Sequence, residues 1–315
     1  MKFLQVNHTF YIFVQVFRCN ETECLASKKD YKLLMMIVIA DSGSTKTTWC
    51  LLSKETGEIR TVDTAGINPF YQNEADIVNM LKNEFTVHFE GVKEIHFYGA
   101  GCANPDVNNI VRRALVDFFD APAIEVESDL MAAARSLCQH EQGIACILGT
   151  GSNSCYYNGK TIEQQVSPLG FILGDEGSGA VLGKRLIADI LKNQLPKTVI
   201  QKFFETHKTT QQEIMENIYR KPFPNRYAAQ FTRFIGENKG EPSLHKLVAT
   251  EFDLFFRRNV LQYHMATELP VNFAGSIAWY FSEILKRVAQ NNNLNIGKIV
   301  QAPMDGLLQY HNIQQ

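Results

Sequence analysis

From residue 35 onward the apolar and polar positions switch between a period of two and a period near 3.6, the repeats that separate strands from helices. Ile37 to Ala40, Trp49 to Leu52 and Ile59 to Val62 are short runs rich in β-branched and apolar residues and predict three strands. Glu74 to Phe85 has helical spacing, Glu94 to Tyr98 returns to strand, Val107 to Phe119 is helical, Ala123 to Val126 is a strand, and Ser128 to Cys138 is a helix. The rhythm then restarts with strands at Ile144 to Leu148 and Cys155 to Tyr157. An α-rich stretch from about Glu176 to Met265 interrupts it, with breaks at Pro196, Pro222, Pro224 and Pro242. Strand Val271 to Ala274, helix Ile277 to Ala289, strand Ile296 to Gln301 and a last helix near Gly306 complete the chain. Strands alternating with helices define an α/β protein with a parallel or mixed sheet covered by helices.

The two restarts share a turn chemistry. The first strand runs into Asp41-Ser42-Gly43-Ser44-Thr45-Lys46-Thr47 and the later one into Gly149-Thr150-Gly151-Ser152-Asn153, 108 residues on. Such self-similarity predicts two related halves, 35–142 and 143–315. The second carries a helical insertion, and its last helix is expected to return to the first half. Gly, Asp and Ser are ordinary turn residues for conformational reasons. Their repetition in register adds a chemical reading. A glycine turn at a strand end exposes amides that converge on an anion, and hydroxyls add donors. Asp41 offers a hard oxygen to a magnesium ion, and Lys46 a cation to phosphate.

Two further glycine clusters follow. Gly174-Asp175-Glu176-Gly177-Ser178-Gly179 is expected to open a helix with Asp and Glu in its first turn. Asp175 is assigned to the cleft, while Glu176 and Gly183 read as capping and close packing. Ala274-Gly275-Ser276 repeats the arrangement of strand, small residues and helix, and admits either tight packing or a nucleotide base lying on the backbone. The phosphate-loop spacing G-x-x-x-x-G-K-[ST] fails because Arg185 follows Gly183-Lys184, and no G-x-G-x-x-G stands between a strand and its helix.

Bulk properties narrow the function. The chain has 315 residues and a formal net charge of -2, with 31 basic and 33 acidic residues well mixed, so nothing in it suggests a nucleic-acid or membrane partner. Small-molecule chemistry in the cytoplasm is expected. The seven cysteines form no C-x-x-C pair, and several sit in apolar runs where free cysteine behaves as a small hydrophobe. Histidines such as His96, His140 and His264 fall at no metal-ligand spacing. Phe252 to Phe256 and Trp279 to Phe281 read as core or a subunit face. Residues 1–34 do not continue the pattern: Phe10 to Phe17 is apolar but too short to span a membrane and lacks a small-residue cleavage site. With Met35-Met36 just before the first strand, residues 1–34 read as an upstream extension outside the core.

Five elements in order, Asp41-x-Gly43-x-Thr45-Lys46-Thr47, Gly66-x-Asn68-Pro69, Leu148-Gly-Thr-Gly-Ser-Asn153, Gly174-Asp-Glu-Gly177 and Ala274-Gly-Ser276, resemble the N-acetylglucosamine kinase and BadF/BadG-type ATPase family of the actin-like sugar kinase superfamily. The resemblance spans about Met35 to Gln315. It implies two ribonuclease-H-like domains around a central cleft that closes before phosphoryl transfer, binding ATP with Mg2+ and a small-molecule amino sugar, and a homodimer. Carried onto this chain, Asp41, Gly43, Ser44, Thr45, Lys46 and Thr47 form the first phosphate segment, with Asp41 toward the metal. Gly149, Thr150, Gly151, Ser152 and Asn153 form the second, and Gly275 with Ser276 the adenosine segment. Asn68, Phe70, Thr150 and Asp175 would meet the sugar, and Asp129 falls where the family keeps its catalytic carboxylate.

Asp129 also has a local rationale at the carboxyl end of a strand, where open α/β sheets place ligands, although Ser128 and Asp129 are both good helix caps. The expected activity is phosphorylation of an amino-sugar hydroxyl, foremost N-acetylglucosamine to its 6-phosphate. The chain departs from the family at Ser167-Pro168-Leu169-Gly170-Phe171, where animal members carry Gly-Gly-Trp-Gly, so glucosamine and N-acetylmuramic acid stay open as substrates. A nucleotide-binding regulator without turnover is the alternative from another class. An iron–sulfur activator ranks low, since no second cysteine stands at cluster spacing to Cys102.

Overall fold

In the computed structural model, Met36, Val38 and Ala40 face one hydrophobic core while the intervening Ile37 and Ile39 face another. That alternation makes the first strand central: a run of β-branched residues with no polar face is stable only when both faces are covered. Ile144, Cys146 and Leu148 point into a third core, while their neighbour Ala145 joins the one that holds Ile37 and Ile39. One core is therefore shared by both halves.

The structure describes residues 35–43 and 45–311, so the expectations for residues 1–34, for Ser44 and for Cys19 and Cys24 lie outside the described residues. The strands are β1 (Met36–Ser42), β2 (Lys46–Ser53), β3 (Ile59–Ala65), β4 (Val92–Gly99), β5 (Ala123–Ser128), β6 (Gln142–Leu148), β7 (Ser152–Asn158), β8 (Ile162–Gln165), β9 (Val271–Ala274) and β10 (Ile296–Val300). The first half carries helices α1 (Glu74–Glu84), α2 (Pro105–Phe119) and α3 (Asp129–Cys138). Between β8 and β9 come α4 (Gly170–Leu173), α5 (Gly179–Leu191), α6 (Lys197–His207), α7 (Gln211–Tyr219), α8 (Pro224–Ala229), α9 (Thr232–Glu237) and α10 (Pro242–Arg258). Helices α11 (Ser276–Tyr280) and α12 (Ser282–Asn291) precede β10, and α13 (Met304–Tyr310) follows it.

The two sheets have the orders β3-β2-β1-β4-β5 and β10-β9-β6-β7-β8. Read from β1 and from β6 these are the same topology: an antiparallel three-stranded meander with two parallel strands added on the other side of its first strand. This is a pair of ribonuclease-H-like halves: the duplication is the one expected from the repeated tips, and the fold the one the resemblance implied. The sequence reading missed β8, whose Ile-Glu-Gln-Gln is mostly exposed and has no apolar alternation to detect. The expected helix from Ile277 to Ala289 is interrupted at Phe281, whose ring is buried in the second half's core.

Helix α3 lies between the sheets. Leu130, Met131, Ala132, Ala133, Ala134, Leu137 and Cys138 are all buried, and a helix apolar on nearly every side must be covered on every side. Helix α13 packs on α3 and β1. Gly306 permits this, because a Cβ there would collide with Ser136 of α3. A polar network pins the end of α13: Arg135 donates to the Tyr98 hydroxyl at 2.8 Å and to Glu125 at 3.0 Å, and Tyr98 meets Nε2 of His311 at 2.8 Å. His96, bonded to Glu125 at 2.8 Å, stacks on His311 with ring centroids 3.8 Å apart. Burial, with His96 and Arg135 nearby, pushes the His311 imidazole down to about 3. Neutral His311 is what the geometry requires, since Tyr98 accepts from Arg135 and has its proton left for Nε2. No helix among the described residues is long and apolar enough to cross a membrane.

Candidate active site

The first tip is built on the β1–β2 register, in which Asp41 pairs with Thr48 and Ser42 with Thr47. Gly43 closes the turn by donating to the Lys46 carbonyl at 3.0 Å. Ser42 and Thr47 are fully buried with their hydroxyls 2.7 Å apart. Ser42 bonds the Ile67 backbone, and Thr47 donates to the Ala65 carbonyl at 3.1 Å. Thr47 thus supports the tip from beneath, which corrects its assignment to nucleotide contact: a hydroxyl with no exposed surface cannot reach a ligand. Thr45 is exposed, and Lys46 pairs with Asp63 at 3.2 Å. Burial pushes the Asp41 carboxyl up to about 7, the charge of Asp129 adds to the rise, and Lys46 opposes it.

The second tip is joined to a helix start. Gly149 donates to the Gly151 carbonyl at 3.0 Å, while Gly179 and Ala180 donate to the carbonyls of Gly149 and Thr150 at 2.8 and 3.0 Å. Ser178 caps α5 by accepting from Val181. Asp175 and Glu176 therefore precede the helix rather than forming its first turn, a correction forced by Gly177 at φ 74° and Asp175 at φ 54°. The Asp175 carboxylate lies against Gly151, where an added Cβ would come within 3.1 Å of Oδ2. Burial raises Asp175 to about 6, a bond from the Ser152 backbone lowers it, and Glu176 raises it further. Glu176 itself bonds Arg258 and Asn259, consistent with a packing role. Ser152 is buried, and the Asn153 carboxamide bonds the Ser154 amide at 2.9 Å and Gln165 at 3.2 Å, so both support the tip from the sheet side.

Gly275 shows why a glycine stands after β9. At φ 121° a Cβ would collide with the Leu148 carbonyl, so only hydrogen fits between this turn and the end of β6. That close approach sets Ser276 beside the second tip. Asp41, Gly43, Thr45, Lys46, Thr150 and Ser276 line one cavity of about 1010 Å3. Thr45, Gly149, Thr150 and Ser276 also line a smaller one of about 250 Å3. The tips of both halves and the Gly275-Ser276 turn thus open into shared space.

The same cavities contain residues that sequence reasoning missed. Trp279, Lys298, Gln301 and Asp305 line the large one, and Arg226 and Thr232 the small one. Trp279 was assigned to core or a subunit face, yet it is 47% exposed, whereas Phe252, Phe255 and Phe256 are fully buried. Its place three residues after Ser276 on one helix was a readable signal. Nothing local marks Arg226 or Lys298, which the fold alone brings in.

Asp129 and the sugar candidates occupy other loops. Ser128 is the N-cap of α3, accepting from Met131 at 3.1 Å, so the capping role falls to it and Asp129 is the first helical residue. Burial raises the Asp129 carboxyl while the amides of Leu130 and of Asp129 itself pull it back. Cys102 is buried, its thiol raised to about 12 by burial and then by Asp129 and Glu127. Asn68 accepts from the Phe70 amide at 3.0 Å, and both side chains lie against Gly101, in the loop that follows β4. Phe70 is 61% exposed. The Pro168 carbonyl accepts from the Asp175 amide at 2.9 Å, which ties the departing segment Ser167 to Phe171 to the second tip.

Two ribonuclease-H-like halves whose hairpin tips share a cavity define an actin-like ATPase architecture. The protein of Porphyromonas gingivalis solved under the name "Putative N-acetylglucosamine Kinase" is 45% identical to this chain, with a TM-score of 0.84 over 88% of this chain and 98% of that one. A protein of the same name from Chromobacterium violaceum matches at 16% identity and a TM-score of 0.68, over 89% and 99% of the chains. A ROK family glucokinase from Streptomyces griseus, solved with glucose and AMPPNP, matches at 14% identity and 0.52, over 89% and 98%. These last two show the shared fold. No family model matches the chain, and no curated protein does. The chain belongs to the actin-like sugar kinase family.

Proposed function

We propose that the protein transfers the terminal phosphoryl group of ATP to a hydroxyl of an amino sugar, with N-acetylglucosamine and its 6-phosphate as the leading substrate and product. The observation that carries this is the shared cavity between the tips at Thr45 and Thr150. The name borne by the 45% identical relative supports the choice of sugar.

Phosphoryl transfer needs positioning and charge neutralisation more than covalent chemistry from the protein. The tip amides and the hydroxyls of Thr45 and Thr150 bind phosphate oxygens, and Ser276 orients the adenosine end. Asp41 suits a magnesium ion. It is a hard oxygen donor whose burial leaves a carboxyl raised to about 7, the imbalance a cation corrects, and magnesium is commonly held by one or two carboxylates plus substrate phosphates. Bound there, the ion would neutralise charge developing on the phosphates. Asn68, Phe70 and Asp175 hold the sugar. Asp129 takes the proton of the attacking hydroxyl as the new O–P bond forms and the bond to the ADP oxygen breaks. Its burial raises the carboxyl and so favours accepting that proton, while the first amides of α3 oppose the rise.

Leu169 stands at φ 60° beside the exposed Ile172 and Leu173, a surface different from a glycine- and tryptophan-lined wall. Glucosamine and N-acetylmuramic acid therefore belong in the test. A coupled ADP-release screen over hexoses, hexosamines and N-acyl hexosamines, with product analysis, identifies the acceptor and the phosphorylated hydroxyl. ATP binding without any phosphorylated amino sugar would leave a nucleotide-binding regulator instead.

A further inference from the structure

The crossing of α5 and α8 brings a guanidinium to the phosphate tips. Gly183 in α5 has no room for a side chain, because a Cβ there would collide with the Ala228 backbone carbonyl in α8. Gly179, whose amide holds the Gly149 carbonyl at 2.8 Å, faces α8 at ordinary contact distance: an added Cβ would meet the Ala229 methyl at 3.4 Å. The second tip, α5 and α8 are therefore stacked nearly backbone on backbone. Arg226, two residues before Ala228, lines the small cavity with Thr45, Gly149, Thr150 and Ser276. Its guanidinium lies 4.2 Å from the ring centroid of Phe223, which restrains the plane of the fork.

We propose that Arg226 is a phosphate-binding residue, holding the terminal phosphates of the nucleoside triphosphate from a helix outside both hairpins. The tips supply amides and hydroxyls, which are dipoles, while Lys46 and Lys298 line the larger cavity beside them. A guanidinium at the smaller cavity adds full positive charge there, and its planar fork matches phosphate oxygens in pairs. Gly183 acquires a purpose in this arrangement, since a bulkier residue there would push α8 and its arginine away from the tip. The assignment rests on the kinase reading for the identity of the ligand.

The test is calorimetric titration of the full chain with ATP and with AMP, for the wild type, Arg226→Met and Arg226→Lys. Arg226→Met is expected to weaken ATP by about ten- to a hundredfold and leave AMP unchanged, with Arg226→Lys between. Equal ATP affinity in wild type and Arg226→Met overturns the proposal. So does a parallel loss of ATP and AMP, which would mark α8 as a scaffold. Sugar turnover is read separately: a wild type that binds ATP yet phosphorylates no sugar removes the kinase reading and leaves the titration to decide Arg226. A wild type that binds no ATP overturns both.

Discussion

The charge of Asp129, at the head of α3, helps push the carboxyl of Asp41, on β1, up to about 7, second only to burial. Two carboxylates at the ends of β1 and β5, which flank β4 in the first sheet, are a cost that Lys46 only partly offsets and that a bound cation would relieve.

Asp41→Asn is therefore expected to stabilise the nucleotide-free protein at neutral pH by on the order of 1–4 kcal/mol while abolishing turnover. The unfolded carboxyl titrates near 3.8 and the folded one near 7, so the folded state holds the extra proton between these values and wild-type stability falls as pH rises through them. The gain of the variant should be negligible at pH 4 and largest at pH 8. Thermal melts across that range check it, and an unchanged or lower Tm at pH 8 would contradict the argument.

Asp129→Asn is expected to lower turnover by about 10²–10⁴ with nucleotide affinity nearly intact, as for loss of a general base. Steady-state kinetics with the acceptor found in the screen, beside ATP titration, separate the two effects. Near-normal kcat would remove Asp129 as the base.

Gly183→Ala places a methyl where the Ala228 carbonyl already sits and is expected to destabilise the fold by about 1–3 kcal/mol. Denaturant unfolding measures this. Wild-type stability in the variant would mean that α5 and α8 separate at little cost.

The chain has two tryptophans, Trp49 fully buried among aromatic rings and Trp279 47% exposed in the large cavity. ATP is expected to change the emission through Trp279 alone. A titration signal that persists in Trp279→Phe would place the nucleotide elsewhere.

His311 is held neutral in the fold, down to about 3, against a reference near 6.5. Between these values the unfolded state binds the extra proton, so this residue makes stability fall as pH drops from 6.5 toward 3, by at most about 1.4 kcal/mol per unit. His311→Gln keeps an acceptor for Tyr98 and should flatten that slope. An identical pH dependence in the variant would show that the network does not couple α13 to protonation.

Much of the fold was legible because it is written in short-range pattern. β1 and β6 announce themselves as apolar runs, Ser128 as a cap, and the two tips as turns repeated in register. β8 was not, because a polar edge strand owes its existence to the β7 backbone it pairs with. The site divides in the same way. Asp41, Thr45, Thr150 and Ser276 were named from motif and do share a cavity, but Thr47 and Asn153 sit in the same motifs and face inward or along the sheet.

The sequence alone determined the alternation of elements, the duplication and the chemistry of the turns, since period and turn preference act over a few residues. The tertiary structure decided which hydroxyls face the cavity, that Glu176 bonds Arg258 while Asp175 stays by the tip, and that Arg226 and Lys298 join a site no local signal assigns to them. Those outcomes depend on contacts between segments far apart in the chain, such as Gly183 against Ala228 and Gly275 against Leu148, where backbone meets backbone and only packing sets the position.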